Sequence, residues 1–329
     1  MRAGADMTAN QKAFAGGVAW LVYAGVTVPG IRHEAVAHAL LVFAALVLVP
    51  LVLELNVDPD EPGASTRPAR WARALQLPAA VLLAAACEMR PGLVAALVAL
   101  PWVSFTAVLA VAGWQRAAAG GWGRSPGRLC ADAALLFASV GGAWTLADRA
   151  GWRPLDIDSA IVALTAVHFH YAGLILPTLT GLVLRRYPDA RFAMTAGVGV
   201  VLGVPAVAVA QLARQLGGGP ELEGAAGGGL ALCGMAVGIL YVRMATEDFG
   251  SRLARGLWGV AGASLFFGMV LAGLYAMRGF ARPLPWLDVP WMRALHGVAN
   301  AFGFGLCGVL GWRLARRTSE PRRGGGVLR

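Results

Sequence analysis

Five histidines, His33, His38, His168, His170 and His296, lie in or beside long apolar runs of this 329-residue chain. An ionisable side chain surrounded by hydrocarbon costs free energy unless it finds a partner, so each is a candidate for function. Other polar groups accompany them. Glu34 stands four residues before His38, and Asn300 four residues after His296, each sharing a helical face with its histidine. Tyr171 follows His168 by three, and Glu88 closes another apolar run. Neutral imidazole is the commonest protein metal ligand, carboxylates complete many sites, and haem iron takes axial histidine. Imidazole also titrates near neutral pH, which suits a proton relay. The metal-ligand candidates are His33, His38, His168, His170 and His296. Tyr171, Glu34, Glu88 and Asn300 are the polar groups expected to assist a reaction.

Spacing constrains this set. His168 and His170 are two residues apart, about 200° around an α-helix. One is expected to face a pocket while the other hydrogen-bonds a neighbouring helix. Pro177 cannot donate to the Gly173 carbonyl and should distort the helix just beyond the pair.

The elements that must hold these residues are membrane-spanning helices. Only 14% of residues are charged, 57% are hydrophobic, and the mean hydropathy is +0.62. Ordinary soluble domains carry about 25% charged residues. About twenty apolar residues cross a bilayer core, and ten runs qualify as spans: 13–30, 34–55, 75–87, 93–113, 130–147, 159–184, 192–213, 226–242, 257–277 and 291–314. The third is short and is expected to extend toward Arg73 and Glu88. The predicted architecture is an all-α, polytopic bundle of about ten transmembrane helices. Residues 1–12 form a cytoplasmic N-terminus, 13–315 the membrane domain and 316–329 a basic disordered cytoplasmic tail.

The net charge of +10 comes almost wholly from arginine, with Lys12 the single lysine. Placing both termini in the cytoplasm puts most basic residues there, as the positive-inside rule requires. With that orientation every histidine falls in the outer half of the membrane or near its centre. Nucleic-acid binding is not expected, because the arginines punctuate apolar runs. The segment 115–128 reads as a Gly- and Arg-rich connection, and 217–229 as a flexible Gly-rich one. Glycines at 199 and 203, and at 234 and 238, allow close helix approach. Asp156 and Asp158 read as caps of the sixth span, and Asp132 and Glu54 as partners of arginines. Cys87, Cys130, Cys233 and Cys307 show no pairing pattern. No phosphate-binding loop, Gly-x-Ser-x-Gly or His-Glu-x-x-His is present.

The segment Val167-His168-Phe169-His170-Tyr171-Ala172-Gly173, preceded by Thr165-Ala166, resembles the signature of the YndJ-like family of bacterial membrane proteins. The resemblance implies a polytopic protein of the bacterial inner membrane and marks His168, His170 and Tyr171 as functional positions. It implies no settled activity, so catalysis stays an open question. Three readings follow. In the first, a histidine-rich pocket binds a transition metal or haem for redox or hydrolytic chemistry on a membrane-dissolved or extracytoplasmic small molecule. In the second, the same histidines relay protons or cations in a small-molecule transporter. In the third, the chain is a non-catalytic scaffold or sensor embedded in the lipid bilayer.

Overall fold

The computed structural model describes residues 7–27, 33–56, 67–120 and 125–319. Among them there is no strand. The helices are α1 (Ala9–Thr27), α2 (His33–Phe43), α3 (Val49–Asn56), α4 (Arg67–Glu88), α5 (Leu93–Gly120), α6 (Pro126–Ala150), α7 (Ser159–His168), α8 (Leu176–Arg186), α9 (Arg191–Gln215), α10 (Pro220–Thr246), α11 (Arg252–Ala276), α12 (Val289–Trp291) and α13 (Cys307–Ser319). Three pairs are continuous rods joined through π-helical turns. Ala44–Leu48 joins α2 to α3, Phe169–Ile175 joins α7 to α8, and Met292–Gly297 with Ala299–Leu306 joins α12 to α13. The described chain is thus ten rods, as the apolar runs predict. Eight are long and apolar enough to cross a membrane. Outside that set are α1, which opens on Asn10, Gln11 and Lys12, and α4, which opens on Arg67, Arg70 and Arg73.

The rod α2–α3 is the axis of the bundle. It is the most apolar span, and residues 37 to 52 are buried throughout. Its π turn breaks the regular backbone ladder, and side chains of three neighbours donate to carbonyls around the break. Trp20 Nε1 reaches Ala39 O at 2.7 Å, Tyr171 Oη reaches Leu40 O at 2.9 Å and Gln76 Nε2 reaches Ala45 O at 2.8 Å. Inside a membrane such donors are the substitute for water.

Close packing elsewhere follows the small residues. α10 lies along α11 and α5 along α6. Gly238 and Gly262 face each other so closely that a Cβ on either would lie 2.8 or 2.5 Å from the other's carbonyl oxygen. Gly234 packs on Met269 of α11, and Gly199 and Gly203 pack on Cys233 and Leu230 of α10. These are the approaches expected from the glycine spacing.

Two expected connections are helical instead. α5 continues to Gly120, and Arg116, within the expected connection 115–128, is helical and buried in an ion pair. α10 starts at Pro220, inside the segment expected to be flexible. Proline suits a first helical turn, and Glu221 and Glu223 favour a helix N-terminus. Glu223 is buried and bonded to Gln211 Nε2 at 2.9 Å and to Arg278. At the other end α13 runs through Arg316 and Arg317 to Ser319, so the first residues assigned to the tail are helical. Residues 320–329 lie outside the described residues, as do 1–6. Asp158 caps α7 by accepting from Ala160 N at 2.8 Å, whereas Asp156 lies in a short 3₁₀ turn with φ of 57°. Glu54 pairs with Arg313, and the four cysteines are free thiols.

Candidate functional site

The three rods that carry the histidines are the three that carry π turns, and these turns touch one another at the core. A π turn rotates the residues after it relative to an α-helix and is common at functional sites. Polar residues then fall into three tiers along the bundle. His38 and Asn56 end the first and third tiers on the central rod, 18 residues apart, or about 27 Å at 1.5 Å per residue.

The first tier is His38 with Asp148 and Arg149. His38 Nε2 lies 3.1 Å from Asp148 Oδ2 and 3.0 Å from Arg149 Nη2. Arg149 Nε donates to Asp148 Oδ2 at 2.7 Å, and Arg149 Nη1 reaches the carbonyls of Ala86, Cys87 and Met89 at 3.2, 3.3 and 3.3 Å. One guanidinium therefore closes the end of α4 onto α6 and α2. Glu88 ends α4 in this region but is exposed. The side chains of His33 and Glu34 lie outside the described residues.

The middle tier holds the other histidines in two settings. His170 is fully buried. Its Nδ1 lies 2.7 Å from Ala166 O, so that nitrogen carries the proton, and its Nε2 accepts from Trp102 Nε1 at 3.0 Å. The indole also stacks on the imidazole, with ring centroids 5.7 Å apart. Gly141 makes room for the ring, since a Cβ there would sit 2.9 Å from Cε1 and Nδ1. Both nitrogens of His170 are thus occupied. Trp102→Phe is expected to leave Nε2 buried without a donor and to lower stability by about 1–3 kcal/mol. Thermal unfolding of the purified chain reads this directly, and an unchanged midpoint would contradict it.

The second setting is His168 with His296 and Asn300. His168 Nε2 is buried and has no hydrogen-bond partner. The two imidazoles are close enough to interact electrostatically. His296 Nδ1 lies 2.7 Å from Gly268 O and carries the proton, so Asn300 Nδ2, 3.3 Å from that nitrogen, donates instead to His296 O at 2.9 Å. Asn300 Oδ1 is left buried without a partner. The expected face-sharing of His296 and Asn300 is present. One member of the neighbouring pair, His170, bonds another helix as expected, through Trp102. Tyr171 spends its hydroxyl on Leu40 O rather than on either histidine. The distortion expected near Pro177 is the π turn Phe169–Ile175 that precedes it.

The third tier is fully satisfied. Arg116 Nε bonds Asp132, while Nη1 and Nη2 reach Asn56 O at 3.0 Å and Asn56 Oδ1 at 2.8 Å. Asn56 Nδ2 donates to Ala131 O at 3.1 Å and Thr178 Oγ1 at 3.0 Å. All four side chains are buried.

Among the described histidines, His38, His170 and His296 each have a ring nitrogen engaged by a protein group, and His168 Nε2 has none. Among the described residues no three of His, Cys, Asp and Glu come together as a metal would require. Sequence reasoning missed Trp102, Asp148, Arg149 and Asn56. Asp148-Arg149 was the one available signal, an adjacent charge pair at a span end that reads as headgroup-facing.

Comparison with known proteins agrees with this picture of a many-span membrane protein. Uncharacterized membrane protein YndJ of Bacillus subtilis (strain 168) is 26% identical over 180 residues. The match covers 55% of this chain and 32% of that protein, so it spans about a third of the relative's length. No solved structure matches the chain. A family model described as YndJ-like protein matches residues 39–304, which hold the polar residues of the three tiers just described except His38. On that extent of agreement, this multi-pass membrane protein belongs to the YndJ-like family.

Proposed function

We propose that this chain is a proton-coupled membrane carrier whose central exchange site is the His168–His296 pair. The observation that carries this reading is a buried imidazole nitrogen, His168 Nε2, left without a partner within electrostatic reach of a second imidazole from another rod. A buried polar atom without a partner costs about 1–3 kcal/mol, and a membrane protein retains such a group where a proton or solute visits it. Its surroundings support the same reading. His296 lies in a π turn and His168 directly precedes one, Asn300 Oδ1 is a second unpaired acceptor next to His296, and the polar tiers toward either end of the bundle give two further stations. Along their rods the buried Leu48 stands between His38 and Asn56, and the buried Ile175 between His168 and Thr178. A metal or haem would draw on two imidazoles here rather than five, so the relay is preferred.

The test is proton uptake by liposomes holding the purified chain and a trapped pH-sensitive dye. An imposed pH gradient is expected to decay faster than in protein-free liposomes. His168→Gln and His296→Gln are each expected to slow that decay at least tenfold while the protein still inserts. Decay equal to that of empty liposomes, or indifferent to both substitutions, would remove the proposal.

A further inference from the structure

At the end of the bundle away from His38, the rod α7–α8 meets the turn between α10 and α11, and one carboxylate holds them together. Tyr187 Oη donates to Glu247 Oε1 at 2.8 Å, Arg186 Nη2 lies 3.3 Å from Glu247 Oε2, and Arg243 Nε lies 3.4 Å from Oε1. Cation–π contacts follow the same seam. The Arg186 guanidinium lies 5.1 Å from the centre of the Phe249 ring and that of Arg243 4.9 Å from the Tyr187 ring, while Phe249 stacks on Trp258 of α11. The bodies on either side hold together by other means. Gly181 of α8 packs so closely on the start of α6 that a Cβ would lie 2.6 Å from the Gly127 oxygen. α10 and α11 form a hairpin, closed by the Gly238–Gly262 approach and by Arg255 Nη1, which reaches Glu247 O at 3.2 Å and Asp248 Oδ1 at 3.0 Å. About two turns further in, Tyr241 Oη donates to Leu179 O at 2.9 Å, and both residues are fully buried. The Glu247 pairs, by contrast, reach water: the Arg186 and Arg243 side chains are 44% and 62% exposed. Exposed ion pairs are weak and screened by salt.

From this arrangement we infer that Glu247 is a releasable clasp. When it lets go of Arg186 and Tyr187, the α10–α11 hairpin swings off α8 about the buried Tyr241–Leu179 bond, which outlasts the exposed pairs. Thr180 stands beside that pivot, fully buried, with its Oγ1 unpartnered. Water admitted along the opened seam therefore has a polar group to meet, where an unpaired one is costly. The clasp also bears on the histidines. The rod it grips at one end carries His168, and the hairpin carries Gly268, whose carbonyl holds His296 Nδ1 at 2.7 Å. Opening the seam draws the anchor of His296 away from the rod of His168. Only this last consequence, that the clasp gates proton exchange, rests on the carrier reading.

Spin labels on Asp189→Cys and Arg252→Cys, two exposed positions on either side of the seam, test the clasp in the full chain in nanodiscs, with the four native cysteines replaced by alanine. Double electron–electron resonance is expected to give the parent one dominant short distance and a minor longer one. Glu247→Gln and Arg186→Gln are each expected to raise the longer population about fivefold, the weight of one exposed ion pair. A tenfold rise in ionic strength is expected to shift the parent the same way and to leave Glu247→Gln within twofold. Distances that stay the same in both variants and at both ionic strengths would overturn the clasp, and proton decay still slowed by His168→Gln would then leave the carrier standing. Distances that respond as expected while neither parent nor variant moves protons support the clasp and overturn the carrier.

Discussion

Asp132→Ala is expected to lower the stability of the chain by about 3–5 kcal/mol, the usual cost of stranding one charge of a buried pair. Arg116 would keep its positive charge at a position where it is 8% exposed. Its two terminal nitrogens would still hold Asn56 O and Oδ1. It therefore has no route to water that does not also release Asn56 and, through it, Ala131 and Thr178. Four rods meet in this network, so the damage spreads beyond one contact. Asp132→Asn keeps an acceptor for Arg116 Nε and removes only the charge, and is expected to cost less. Removing Arg116 and Asp132 together eliminates the stranded charge but leaves two Asn56 acceptors unpaired, each worth about 1–3 kcal/mol. The double variant should thus recover part of the loss, not all. Reversible unfolding in mixed micelles, followed by tryptophan fluorescence, measures the series. An Asp132→Ala protein within 1 kcal/mol of the parent would show that the pair is not the clamp its burial suggests.

Most of the rods were legible because eight of them are apolar runs of membrane length, bounded by arginine, glycine or proline. Legibility failed where composition and context disagree. Residues 217–229 are rich in glycine, which reads as flexible, yet Pro220 and two glutamates start a helix there and Arg278, far along the chain, holds Glu223 in place. Arg116 reads as part of the connection 115–128, yet it is buried against Asp132. The π turns left no trace of their own, since Ala-Ala-Leu-Val-Leu is as good an α-helix as a π turn. Their cause is tertiary: donors from α1, α4 and the sixth rod collect the carbonyls around the break.

Of the candidate site, depth was readable and partnership was not. His168 and His296 fall about nine and five residues into their predicted runs, and the rods that carry them touch through their π turns. His38 falls nearer the membrane surface and finds Asp148, 110 residues away. Trp102 is 68 residues from His170 and looks like any interfacial or packing tryptophan. A ring nitrogen's partner is fixed by how rods rotate against one another, and the periodicity of one rod carries no information about that rotation.

Arg149→Gln is expected to cost a similar 3–5 kcal/mol, by a different route. Arg149 is 3% exposed and does two jobs at once. It neutralises Asp148, and it supplies donors to three carbonyls at the end of α4. The last carbonyls of a helix lack partners within it, and here they are turned away from water. Glutamine is too short to reach all three, and it leaves the carboxylate of Asp148 with His38 alone. The two partners of His38 Nε2 make opposite demands: a protonated nitrogen donates to Asp148, while a bare one accepts from Arg149. Without Arg149 only the first arrangement remains. Arg149→Lys keeps the charge but not the fork of donors, and should fall between parent and glutamine. Unfolding midpoints of the three proteins decide the matter. An Arg149→Gln protein within 1 kcal/mol of the parent would mean that the guanidinium does not clamp α4 onto α6 and α2.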